Sequence, residues 1–141
     1  MSKFSAFLAQ NKVTTDNVKY VVSNKFIDPE TKQPIEWELR PLSEEENDGI
    51  KRACMIQKQV KNGVYTKDVD PLKFNSKVIT SSVVFPDLND KELQDSYHVV
   101  GAESLLKKML TMGEYARLFE KVQEINDFDI PFADKVEEAK N

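Results

Sequence analysis

The chain has one cysteine, Cys54, one histidine, His98, and one tryptophan, Trp37, among its 141 residues. One cysteine cannot close an intrachain disulfide, so a reducing compartment is expected. A zinc site needs more cysteine and histidine than the chain holds. Glycine (4) and proline (6) are sparse, which argues against a low-complexity chain. No apolar run approaches the ~20 residues of a membrane-spanning helix. The opening MSKFSAFLAQNK is too short and too polar for a signal peptide, so no membrane role is expected. Basic surplus is missing too: 20 Lys and Arg stand against 24 Asp and Glu, a net charge of −4. Nucleic-acid binders release counterions from phosphates with the opposite surplus, and no run of Lys or Arg marks a local patch.

The chemistry-bearing motifs are absent as well. The sequence contains no G-x-x-x-x-G-K-[ST], G-x-G-x-x-G, G-x-S-x-G or H-E-x-x-H. A Cys54–His98 dyad is arithmetically available. Each lies in an apolar helical pattern, where a buried structural residue is the simpler reading. Asp87, Asn89 and Glu92 resemble the start of a calcium loop, but Lys91 occupies a ligand position and no glycine stands sixth. Glu36 and Glu38 lie on a wet strand face, a poor setting for acid–base work. The residues therefore point to a binder with no catalytic site, metal or cofactor.

What is present is periodicity, strongest from Val83 to Asn126. Asn89 and Glu92 have capping-box spacing, followed by Leu93 and Tyr97 four apart. Gly101 interrupts the run, and Leu105, Leu106, Met109 and Leu110 continue it. Thr111 and Glu114 repeat the box before Tyr115, Leu118, Phe119, Val122 and Ile125. The pattern predicts three short amphipathic helices. Each apolar stripe is first of all core, but three short helices in a row can leave one stripe uncovered for a partner.

Earlier in the chain, Phe4, Phe7 and Leu8 predict a short helix docked on the body. Val18, Tyr20 and Val22 alternate, Phe26 extends the strand, and Asp28–Pro34 is dense in turn formers. Ile35, Trp37 and Leu39 alternate with charges on the return strand, with Trp37 anchoring the hairpin. Ser43 and Glu46 form a capping box before a helix whose one face holds Ile50, Ala53 and Cys54, with Gln57 as a further candidate. Asn62-Gly63 suggests a second small hairpin, with a loop as the alternative. Asp70-Pro71 opens a helix expected to run to Pro86. Residues 127–141 read as a loose tail, with Ala133–Lys140 either a final helical turn or a frayed end. The expected fold class is α+β: an N-terminal β-hairpin region (1–42) packed on a helical region (43–126) of about five short helices, in one domain spanning 1–141.

The order and spacing of particular elements carry a resemblance across nearly the whole chain. They are Phe7-Leu8-Ala9-Gln10-Asn11, Asn17-Val18-Lys19-Tyr20-Val21-Val22-Ser23, Pro34-Ile35-Glu36-Trp37-Glu38, Phe85-Pro86-Asp87-Leu88-Asn89-Asp90, Gly101-Ala102-Glu103, and Leu105 to Thr111 leading into Gly113-Glu114-Tyr115. In these the chain resembles the XkdN-like tail assembly chaperones of prophages and tailed phages of Gram-positive bacteria. The resemblance implies a non-enzymatic protein of the bacterial host cytoplasm, absent from the mature virion. It would hold the tape measure protein soluble while the tail tube forms, with the tail tube protein as a further candidate partner. The alternative is a structural tail or connector protein retained in the virion. Helical spacing nominates Leu93, Tyr97, Leu106, Met109, Tyr115 and Phe119 as partner contacts, and Met109 and Met112 suit an adaptable surface.

Overall fold

The computed structural model describes residues 3–128; the final turn expected near Ala133–Lys140 lies outside the described residues. Two 3₁₀ turns, Lys3–Phe7 and Ala9–Asn11, lead into β1 (Val18–Tyr20) and β2 (Trp37–Leu39). Then come α1 (Glu44–Ala53), β3 (Met55–Gln59), β4 (Tyr65–Val69), α2 (Pro71–Ser82) and β5 (Val83–Phe85). Three helices follow: α3 (Lys91–Ser96), α4 (Ala102–Met109) and α5 (Met112–Ile125). Among the described residues, five α-helices and two small antiparallel sheets make a mixed α+β fold, as the sequence predicts.

β1 and β2 pair antiparallel, with Tyr20 opposite Trp37 and Val18 opposite Leu39. The two-residue period sends Trp37 and Leu39 into the core and turns Glu38 outward. There its carboxylate accepts bonds from Lys19 at 2.7 Å and Asn17 at 2.9 Å. The ladder is shorter than expected, because Phe26 does not extend β1. The chain regains its partner only at the Ile27–Pro34 bridge, where Asp28 N–H donates to the Gln33 carbonyl at 2.9 Å. Phe26 instead packs its ring 6.2 Å from that of Trp37.

The helix opened by Asp70 and Pro71 stops four residues before Pro86. Asp70 accepts from the N–H groups of Leu72 and Lys73, as its position predicts. At Val83 the backbone becomes extended, and Val83 and Phe85 pair with Leu39 and Glu38 as the third strand, in the order β1-β2-β5. Two consecutive β-branched residues favour that conformation, and β2 offered an open edge. α2 itself is the hub of the helical layer, packing against α1, α4 and α5.

The three central helices form where expected, with one change of cap. Asp90, not Asn89, caps α3, its carboxylate accepting from Leu93 N–H at 2.9 Å. Asn89 is taken up in a turn, its N–H donating to Asp87 Oδ1 at 3.0 Å. Gly101 precedes α4 at φ +100°, a conformation that favours glycine. Both the Ser43–Glu46 and Thr111–Glu114 capping boxes are complete. Trp37, Leu39, Ile79, Leu88, Leu105, Leu106, Leu110, Leu118 and Val122 form the core, joined by Val22.

Two N-terminal and hairpin expectations resolve in opposite ways. Phe4 and Phe7 are 71% and 84% exposed, so the first segment is not docked. Within it, Asn11 Nδ2 donates to the Ser5 carbonyl at 2.7 Å. The second hairpin does form, β3 with β4, and both Asn62 and Gly63 adopt positive φ at its tip. Among the described residues no helix is long and apolar enough to cross a membrane.

Candidate binding cleft

Helical spacing on three elements builds an apolar cleft of about 360 Å³. Phe74 and Val78 lie four apart on α2, and Phe119 and Val122 three apart on α5, so each pair shares a face. Glu44 and Asn47 on α1 form one polar rim, and Gln123 and Asn126 form another. Phe128 closes the end beyond α5 and is largely exposed. An apolar floor with a few polar groups at its rim is the usual character of a protein's binding site.

Asn126 fixes the mouth of the cleft. Its Nδ2 donates to the Val122 carbonyl at 2.8 Å, and its Oδ1 accepts the Leu42 N–H at 2.7 Å. The entry to α1 is thereby tied to the end of α5. The start of α1 is held from the other side by a two-pronged ion pair, Arg40 Nη1 to Glu46 Oε1 at 3.1 Å and Nη2 to Oε2 at 2.7 Å. Arg40, with the Ser43 N–H, holds the Glu46 carboxyl down at about 2.

A second cavity, of about 290 Å³, is polar and lies between the Val21–Lys25 segment and the start of α5. Glu114 is buried there. The Ser23 hydroxyl, then the Thr111 N–H, hold its carboxyl down at about 2. Lys25 Nζ sits 3.3 Å away, and the Thr111 N–H donates to Oε1 at 2.8 Å. Every contact of Glu114 is accounted for by capping α5 and anchoring the loop after β1, so this cavity reads as structural.

The six residues nominated by helical spacing fall into three settings. Leu106 is 1% exposed and belongs to the core. Leu93, Tyr97, Met109 and Tyr115 are half-buried against that core, with the Tyr115 hydroxyl 3.1 Å from Ser76 Oγ. Phe119 alone among them lines the cleft. Phe74, Val78, Leu42, Asn126 and Phe128 line it too, and nothing in the sequence pattern marks them as contacts. Their common position depends on three elements meeting, which a local period does not reveal. Cys54 is buried, as its pattern predicts. His98 is not: it is exposed at φ +57°, in the turn after α3, where the helical pattern has already ended. Among the described residues no group of acidic, histidine and cysteine side chains is placed to hold a metal ion.

Fold and cleft together define a small α+β protein with an apolar cleft. Residues 4–140 match the phage XkdN-like tail assembly chaperone family, and the chain belongs to that family. It is 30% identical over 138 residues to the phage-like element PBSX protein XkdN of Bacillus subtilis, covering 97% of this chain and 93% of that one. It is 28% identical over 138 residues to YqbN of the same organism, covering 97% of this chain and 92% of the other. The crystal structure of YqbN superposes with a TM-score of 0.74 at 22% identity, over 92% of this chain and 99% of that one, which shows the shared fold.

Proposed function

We propose that this protein is a non-enzymatic tail assembly chaperone that binds the tape measure protein and keeps it soluble while the tail tube assembles. The cleft between α1, α2 and α5 is the observation that carries this reading. An amphipathic helix docks by laying side chains spaced three or four apart into such a groove. A cavity of about 360 Å³ takes the anchoring side chains of one helix face. Phe74, Phe119 and Phe128 supply broad apolar contact, and the rim amides supply adaptable hydrogen bonds. Leu93, Tyr97, Met109 and Tyr115 are the contacts proposed beyond the cleft, and Leu106 supports them from the core. The tail tube protein is a second candidate partner; nucleic acid and membrane are not. The site of action is the host cytoplasm, and the protein leaves before the virion is complete.

Co-expression tests the reading. The tape measure protein of the same gene cluster should move from the pellet to the soluble fraction when this chain is present. A tape measure protein that stays insoluble beside folded, soluble chaperone would contradict it. Mass spectrometry of purified particles should find the protein absent.

A further inference from the structure

We infer that the β3–β4 hairpin is a second docking element, which receives an acidic, extended segment of a protein partner as a third strand. The inference stands apart from the cleft. It rests on charge, strand edges and exposed apolar surface in one place.

The fold gathers charges that the sequence scatters. Lys51 and Arg52 end α1, Lys58, Lys61 and Lys67 lie along the hairpin, and Lys73 lies in the first turn of α2. All six are exposed, and none takes part in an ion pair among the described residues. Asp68 and Asp70 are the acids of this stretch, and both accept backbone N–H groups: Asp68 from Val69 at 2.8 Å, Asp70 from the start of α2. A chain of net charge −4 therefore carries one concentrated basic projection.

The hairpin also has two open edges. Cys54 accepts from Asp70 N–H at 2.9 Å, and Val60 donates to the Val64 carbonyl at 2.7 Å. With the register Met55–Val69 to Gln59–Tyr65, bonded pairs must alternate with outward-facing ones. The outward N–H and C=O groups are those of Gln57 and Gln59 on one edge, and Tyr65 and Lys67 on the other. Such a row is a template for an added strand.

Lysines on an edge often serve only to prevent aggregation. A guarded edge does not also need exposed apolar side chains, yet Ile56, Val60, Val64 and Tyr65 are 43–61% exposed. The lysines repel another copy of the same hairpin and select a strand of opposite charge. Single-stranded nucleic acid is the weaker fit. Its binding uses successive aromatic platforms, and Tyr65 is the one aromatic residue on the hairpin.

The test uses the full ¹⁵N-labelled chain and a peptide of roughly twelve residues alternating valine with glutamate. Its lysine counterpart and an oligothymidylate of similar length serve as comparisons. The glutamate peptide should shift amides within 55–69, and K58E/K61E/K67E should weaken it about tenfold or more, while the triple arginine variant retains binding. Gln57→Pro and Lys67→Pro each remove one outward N–H without removing a bond inside the hairpin. Weakening by one of them beyond the loss of charge identifies the edge. Absence of shifts at 55–69, equal binding of the lysine peptide, tighter binding of the oligothymidylate, or indifference to both prolines would each overturn the inference.

Discussion

Asn126 Oδ1 accepts the N–H of Leu42 at 2.7 Å, joining residues 84 apart in the chain. The bond closes the helical layer at the mouth of the cleft. Asn126→Ala leaves a partly buried N–H without its acceptor and should cost about 1–3 kcal/mol. Urea unfolding gives the value. Amide exchange at Leu42 should quicken more than exchange in the core strand β2.

Leu106 and Met112 separate core from surface. Leu106 is enclosed between α4 and its neighbours, so Leu106→Ala should destabilise by about 2–5 kcal/mol. Met112 is 90% exposed, and Met112→Ala should stay within about 0.5 kcal/mol of the parent. Thermal or urea unfolding of the two variants checks the contrast.

Ser82 presents the reverse case. Its Oγ is buried with no hydrogen-bond partner among the described residues. Ser82→Ala removes a polar atom that lost its water on folding and gained nothing in return. The variant should be unchanged in stability or stabilised by up to about 1 kcal/mol. A destabilisation in the same urea assay would show that the hydroxyl is satisfied in solution.

Acid should loosen the fold through Glu114 and Glu46. Both carboxyls are held down at about 2 in the folded protein, against an ordinary value of 4.5. The ionised forms are favoured by folding, so their contribution is full above pH 4.5 and is lost as pH falls toward about 2. Glu46 is partly exposed, and solvent screening reduces its share. Glu114→Gln should therefore be less stable than the parent at neutral pH and show a shallower decline between pH 4.5 and 2. Unfolding midpoints measured across that range would reveal parallel curves if Glu114 is not involved.

Much of this fold is local, and the local part was legible. Capping chemistry placed the starts of α1, α2 and α5, Asn62-Gly63 marked the second hairpin, and alternation at Trp37 and Leu39 fixed the inward face of β2. What failed was decided at a distance. Val83 leaves the helix because Leu39 presents an open strand edge, and the cap of α3 falls to Asp90, whose carboxylate accepts the Leu93 N–H, while Asn89 sits in the turn before it. Phe4 and Phe7 are apolar without being docked, since composition does not say whether a receiving surface exists. The cleft was the least legible feature: Phe119 was found by its helical period, whereas Leu42, Phe74 and Asn126 join it only through the packing of α1, α2 and α5. The basic hairpin is hidden in the sequence for the same reason, its lysines being spread from 51 to 73.

The most direct measurement is site-specific photocrosslinking of the full chain in cells that express the tape measure protein. A photoreactive phenylalanine analogue would replace Gln123, which lies on the exposed rim of the cleft, and Met112, which lies about three turns away at the other end of α5. The account predicts a covalent adduct with the tape measure protein from position 123 and little or none from position 112. No adduct from position 123, or equal adducts from both, would contradict it.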